Sequence, residues 1–74
     1  MTDELKHIDD IAYFVAFCIE TYKNAQGLTG SETSRLFCKT GLTEFLEQNF
    51  ESIHTQSPQW ILAEIDEYLS TYKQ

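Results

Sequence analysis

The chain has 74 residues, 42% of them hydrophobic and 14% aromatic, and its 12 Asp and Glu outnumber 5 Lys and Arg for a formal net charge of -7. A unit this short buries only roughly 60% of the surface of its unfolded form, so residues 1–74 are expected to form one domain around one core. The excess of carboxylates opposes phosphate backbones and anionic headgroups, and neither nucleic acid nor a membrane is expected as a partner.

Met1 to Lys6 is polar and acidic, without the basic start and apolar run of a secretory signal, which points to a cytoplasmic protein. From about Asp3 to Ala25, Ile8, Ile11, Ala12, Val15, Cys18, Ile19 and Tyr22 recur at helical spacing, and Gly27 follows where a C-terminal cap belongs. Tyr13, Phe14, Ala16 and Phe17 complete an unbroken apolar run from Ile11 to Ile19. The run is too short to span a bilayer and predicts a helix buried nearly all round.

Thr29 to Glu32 reads as a capping box, in which hydroxyl and carboxylate satisfy free amides at a helix start. The second helix is short, with Leu36, Phe37 and Cys38 facing inward, Lys39 against the negative end of its dipole and Gly41 as its stop. Leu42, Phe45, Leu46, Asn49, Phe50 and Ile53 then repeat at three and four residues, a third helix to about Glu51. Ser57 as N-cap and Pro58 at the first position open a fourth, whose inward stripe is Ile61, Ile65, Tyr68, Leu69 and Tyr72, with Trp60 and Leu62 beside it. No strand alternation or repeat is present. The expectation is an all-α, compact four-helix domain, two long helices (first and last) flanking two short ones.

Metal and catalytic chemistry find little support. Cys18, Cys38, His7 and His54 lack the close pairs that zinc sites use, and the two cysteines read as reduced, buried thiols. A Cys–His nucleophile needs an orienting group and an oxyanion hole, and no Gly-rich loop offers one. Glu44, Glu47 and Glu51 form an acidic stripe on the third helix; such stripes are usually solvated faces, as are Asp9 and Asp10 or Glu64, Asp66 and Glu67. No enzyme activity and no cofactor are expected, unless Cys38 or His54 lines a pocket. The polar turn of His54, Thr55, Gln56 and Ser57 reads first as a helix end, where Thr55 and Gln56 satisfy loop backbone groups. Beside Trp60 it is also a candidate contact corner.

Phe17-Cys18-Ile19-Glu20, Leu28-Thr29-Gly30, Ile53-His54-Thr55-Gln56-Ser57 and Ile65-Asp66-Glu67-Tyr68-Leu69 together resemble a family of short bacterial proteins known as domain of unknown function 3791. The resemblance covers nearly the whole chain, and the His-Thr-Gln-Ser turn is its most specific element. Thr33-Ser34 stands where that family more often carries Val-Tyr. The resemblance implies a small helical bacterial protein, often encoded beside another small protein, and an accessory or antitoxin-like role; it carries over no catalytic residue.

The expected function is therefore protein binding, to a basic or toxin-like partner encoded beside the chain. The contact residues expected are Glu44, Glu47, Glu51, His54, Thr55, Gln56 and Trp60. The competing expectation is a structural homodimer packed through Tyr13, Phe14 and Phe17.

Overall fold

The computed structural model describes the backbone of residues 2–72 and the side chains of residues 9–72, so His7 and Ile8 lie outside the described side chains. Within it the chain is all helical: α1 (Thr2–Gln26), α2 (Gly30–Thr40), α3 (Leu42–Gln48), α4 (Phe50–Ile53) and α5 (Pro58–Tyr72). The shape is elongated, 40 × 23 × 21 Å, because α1 alone runs for 25 residues, about 37 Å at 1.5 Å per residue. α1 packs on α2, α3 and α5, and α3 joins α2, α4 and α5.

The helix ends follow from local chemistry. Gly27, at φ +69°, closes α1, and the Leu28 amide reaches back to the Lys23 carbonyl at 3.0 Å, the bond of a Schellman end. The capping box is complete: the Glu32 amide donates to Thr29 Oγ1 at 3.1 Å, and the Thr29 amide donates to Glu32 Oε1 at 2.9 Å. Gly41, at φ +77°, ends α2 in the left-handed region, and a Cβ there would stand 3.3 Å from the Tyr68 hydroxyl. Ser57 Oγ accepts from the Trp60 amide at 3.2 Å and so caps α5, with Pro58 first in the helix.

Five helices replace the expected four. The third is interrupted at Asn49, whose φ of -109° leaves the helical region. Its amide and its side-chain Nδ2 both donate to the Phe45 carbonyl, at 3.1 and 2.8 Å, which closes α3 before α4 begins. The short α4 turns Phe50 and Ile53 inward.

The core is formed by Phe14, Val15, Cys18 and Tyr22 from α1, Phe37 from α2, Leu42 and Leu46 from α3, Phe50 and Ile53 from α4, and Ile61, Ile65 and Leu69 from α5. Thr33, fully buried, and Thr40 enter it as polar residues, and their hydroxyls donate to the Thr29 and Leu36 carbonyls at 2.9 and 2.8 Å. Four expectations are corrected. α1 is not buried all round, since Tyr13 is 83% and Phe17 44% exposed, with Ala12 and Ala16 beside them. Phe14, placed on an outer strip with Tyr13 and Phe17 by the competing homodimer reading, points into the core. Cys38 is exposed rather than buried. Tyr72 is 53% exposed, lying along the surface with its hydroxyl 3.5 Å from the Lys39 carbonyl, while the Tyr68 hydroxyl donates to the Thr40 carbonyl at 2.7 Å.

Candidate functional site

The most open apolar surface arises from how α1 divides its apolar run. Phe14, Val15, Cys18 and Tyr22 recur at three and four residues and face the core. Tyr13 and Phe17 are one residue, about 100° of helix, away from that stripe and stand one above the other on the outside. Asp10 and Glu20 extend their row in both directions, giving the spacing 10, 13, 17, 20 along one face.

The opposite wall is α4 with the residue that ends it. The Phe50 ring meets Phe14 edge-on at 5.5 Å and carries the His54 imidazole flat on its other side, at 4.2 Å and 14° between planes. His54 Nδ1 lies 2.7 Å from the Phe50 carbonyl. A carbonyl only accepts, so Nδ1 carries a proton in this contact. Between the walls runs an open groove of about 970 Å³, lined by Tyr13, Phe14, Ala16, Phe17, Phe50 and His54.

Asp10, Glu20 and Glu51 also line this groove, and no Lys or Arg is among the described residues lining it. Glu20 has Lys23 beside it at 3.3 Å, an exposed i,i+3 pair of the kind worth little in water. Nor is any Ser, Thr or Cys among the described residues lining the groove, so none of them stands beside His54 as a nucleophile to activate. The described surface offers aromatic faces, carboxylates and the His54 imidazole, which is the chemistry of contact.

The expected contact residues separate. Glu51 and His54 meet at the groove. Glu44 and Glu47 are exposed on α3, Thr55 and Gln56 in the turn, and Trp60, 41% exposed, at the start of α5; none of them lines it. Gln56 serves the turn, its amide donating to the Ile53 carbonyl at 3.0 Å and its side chain to that of Ser52 at 3.5 Å. Asp10, Ala16 and Glu20 went unnamed as contact residues, although the 3-4-3 spacing of Asp10, Tyr13, Phe17 and Glu20 is written in the sequence. A smaller hollow of about 370 Å³ lies along α5 between Phe45, Tyr68 and Tyr72, with Glu64 and Glu67 at its edge. The hydroxyls of both tyrosines are directed at backbone carbonyls of Thr40 and Lys39.

Neither cysteine takes part in either hollow. Cys18 is sealed in the core, and burial pushes its thiol up to about 12. Among the described residues no three His, Cys, Asp or Glu side chains are grouped to hold a metal ion, and no helix is long and apolar enough to cross a membrane.

Fold and surface together define a small all-helical protein carrying an open groove, aromatic within and acidic at its edges. Residues 13–71 match the family described as "Protein of unknown function (DUF3791)", and the chain belongs to that family. The match runs from Tyr13 to Thr71, which takes in most of the groove and leaves Asp10 outside. No curated protein and no solved structure matches the chain.

Proposed function

We propose that this chain is a protein-binding accessory module and that the groove between α1 and α4 is its contact surface. The observation that supports this most is the exposure of Tyr13 and Phe17, 83% and 44%, one turn apart on a helix whose Phe14, Val15, Cys18 and Tyr22 are buried. Aromatic residues in a concave, partly apolar surface are the usual anchors of protein contacts. Chemistry at His54 is the weaker reading, since none of the described residues lining the groove beside it is a Ser, Thr or Cys that it could activate. The first partner to try is a small protein encoded beside the chain, which the module would neutralise or help assemble.

The same strip also favours a second reading, a homodimer. Phe14 packs against Phe50 and shows only its edge in the groove, so Tyr13 and Phe17 supply most of that patch. A two-fold contact sets the same patch on both copies, so each copy brings Asp10 and Glu20 against those of the other. Like charges opposed in this way disfavour the pair.

The test is affinity capture from the native host with the full chain and with Phe17→Glu, an exposed substitution that leaves the core untouched. Proteins held by the parent and lost by the variant are expected. Identical capture by both would refute the groove as the contact surface.

A further inference from the structure

We propose that the occupant of the α1–α4 groove is an amphipathic helix of a different protein, with apolar anchors flanked by Lys or Arg. This rests on the protein-binding reading above and assigns the chemistry of the partner. Two independent features of the groove carry it.

The first is the pattern of side chains that α1 presents. Asp10, Tyr13, Phe14 and Phe17 are residues i, i+3, i+4 and i+7, and so are Tyr13, Ala16, Phe17 and Glu20; all of them line the groove. A set of four with that spacing is the hole into which a knob of a second helix inserts. The two sets share Tyr13 and Phe17 and lie in succession, so they accept two knobs from consecutive turns of one helix. Ala16, exposed and small, flanks the two larger rings on the solvent side and leaves room beside them. From Asp10 to Glu20 the row runs ten residues, about 15 Å at 1.5 Å per residue, the length of about three helical turns. An extended strand would instead need an unpaired sheet edge, which the described residues do not provide.

The second feature is charge. Carboxylates stand at both ends of the row, Asp10 and Glu20, the latter in a solvent-screened pair with Lys23 at 3.3 Å, and no Lys or Arg is among the described lining residues. A helix whose anchors are bracketed by Lys or Arg meets a carboxylate at each end. A second copy of this chain would bring carboxylates instead, against a net charge of -7 on each molecule.

The experiment uses the full chain and three synthetic peptides of equal length, read by fluorescence anisotropy with groove contacts mapped by NMR. The first places Leu at i, i+3 or i+4, and i+7 with Lys on the flanks; the second keeps the Leu and replaces Lys by Glu; the third has the first one's composition in scrambled order. The Lys peptide is expected to bind, with shifts centred on Tyr13, Ala16 and Phe17, and the Glu peptide to bind at least roughly tenfold more weakly, the effect of about 1.4 kcal/mol. Phe17→Glu and Tyr13→Glu are expected to abolish binding with the helical circular dichroism unchanged. Equal binding of Lys and Glu peptides, binding of the scrambled peptide at the same strength, or binding that survives both substitutions would each overturn the assignment. A Phe17-dependent dimer in sedimentation would also overturn it, by identifying a second copy as the occupant. If no peptide binds while capture from the host still depends on Phe17, the helical basic partner is wrong and the protein-binding reading stands; if capture is Phe17-independent as well, both fall.

Discussion

Adjacent residues of α1 have opposite fates, and that contrast is measurable. Phe14 is 7% exposed and touches Phe50, while Tyr13 beside it is 83% exposed. Phe14→Ala leaves a cavity and is expected to cost about 3–5 kcal/mol, whereas Tyr13→Ala is expected to stay within about 0.5 kcal/mol of the parent. Urea unfolding followed by circular dichroism checks both, and equal losses would mean that the face of α1 is misassigned. The run from Ile11 to Ile19 could not announce this division, because an unbroken apolar stretch has no polar side from which to read its orientation. The cysteines make a second contrast. Cys38 is open to solvent, and Cys18 is buried with its thiol pushed up to about 12. A water-soluble thiol reagent is expected to label one cysteine per native chain, at Cys38, and two after denaturation. Rapid native labelling of Cys18 would show that the core opens far more readily than this packing implies.

Helix ends were the most legible elements, because their chemistry is local: Gly27, Thr29 with Glu32, Gly41, and Ser57 with Pro58 each act within a few residues of themselves. Asn49 shows the reverse case. Its neighbours kept a perfect three-and-four spacing, and only the choice of its side chain to bond the Phe45 carbonyl splits α3 from α4. The bond from Tyr68 to Thr40, 28 residues away, depends on the assembled bundle and leaves no local signal. A pH prediction belongs to the capping box. Hydrogen bonds from the Thr29 amide hold the Glu32 carboxyl below the ordinary carboxylate range. A carboxyl lowered on folding contributes stability that is complete above its unfolded value, roughly 4.3, and is lost as pH falls through the folded one. Glu32→Ala is therefore expected to be less stable than the parent at neutral pH, with the gap in melting temperature closing under acid conditions. A gap that persists unchanged at low pH would assign the loss to helix propensity instead.

At the scale of the molecule, apolar surface and charge pull in opposite directions, and the balance decides whether the chain associates with itself. Tyr13, Phe17 and the room beside Ala16 offer a self-complementary patch, and nothing in their packing forbids a two-fold contact. What opposes it is electrostatic: Asp10 and Glu20 at the ends of the row, within a chain of net charge -7. Sequence composition made that charge visible from the start, but not that carboxylates would sit at the ends of the aromatic row, which needed the helical register of α1. The Glu44 and Glu47 portion of the acidic stripe, which looked the more organised in sequence, turns to solvent away from the groove. Two consequences follow for sedimentation of the full chain at tens of micromolar. The parent is expected to be monomeric at low ionic strength, where repulsion reaches about 30 Å, and to associate weakly if at all as added salt shortens that range. The pair of neutralising changes Asp10→Asn and Glu20→Gln, which keep size and shape, is expected to promote a dimer that Phe17→Glu then abolishes. If the neutralised protein stays monomeric at every salt concentration, the aromatic strip lacks the shape for self-pairing and charge is not what holds copies apart. If the parent is already a dimer at low salt, the carboxylates do not repel across the patch, and the partner of this groove is the chain itself.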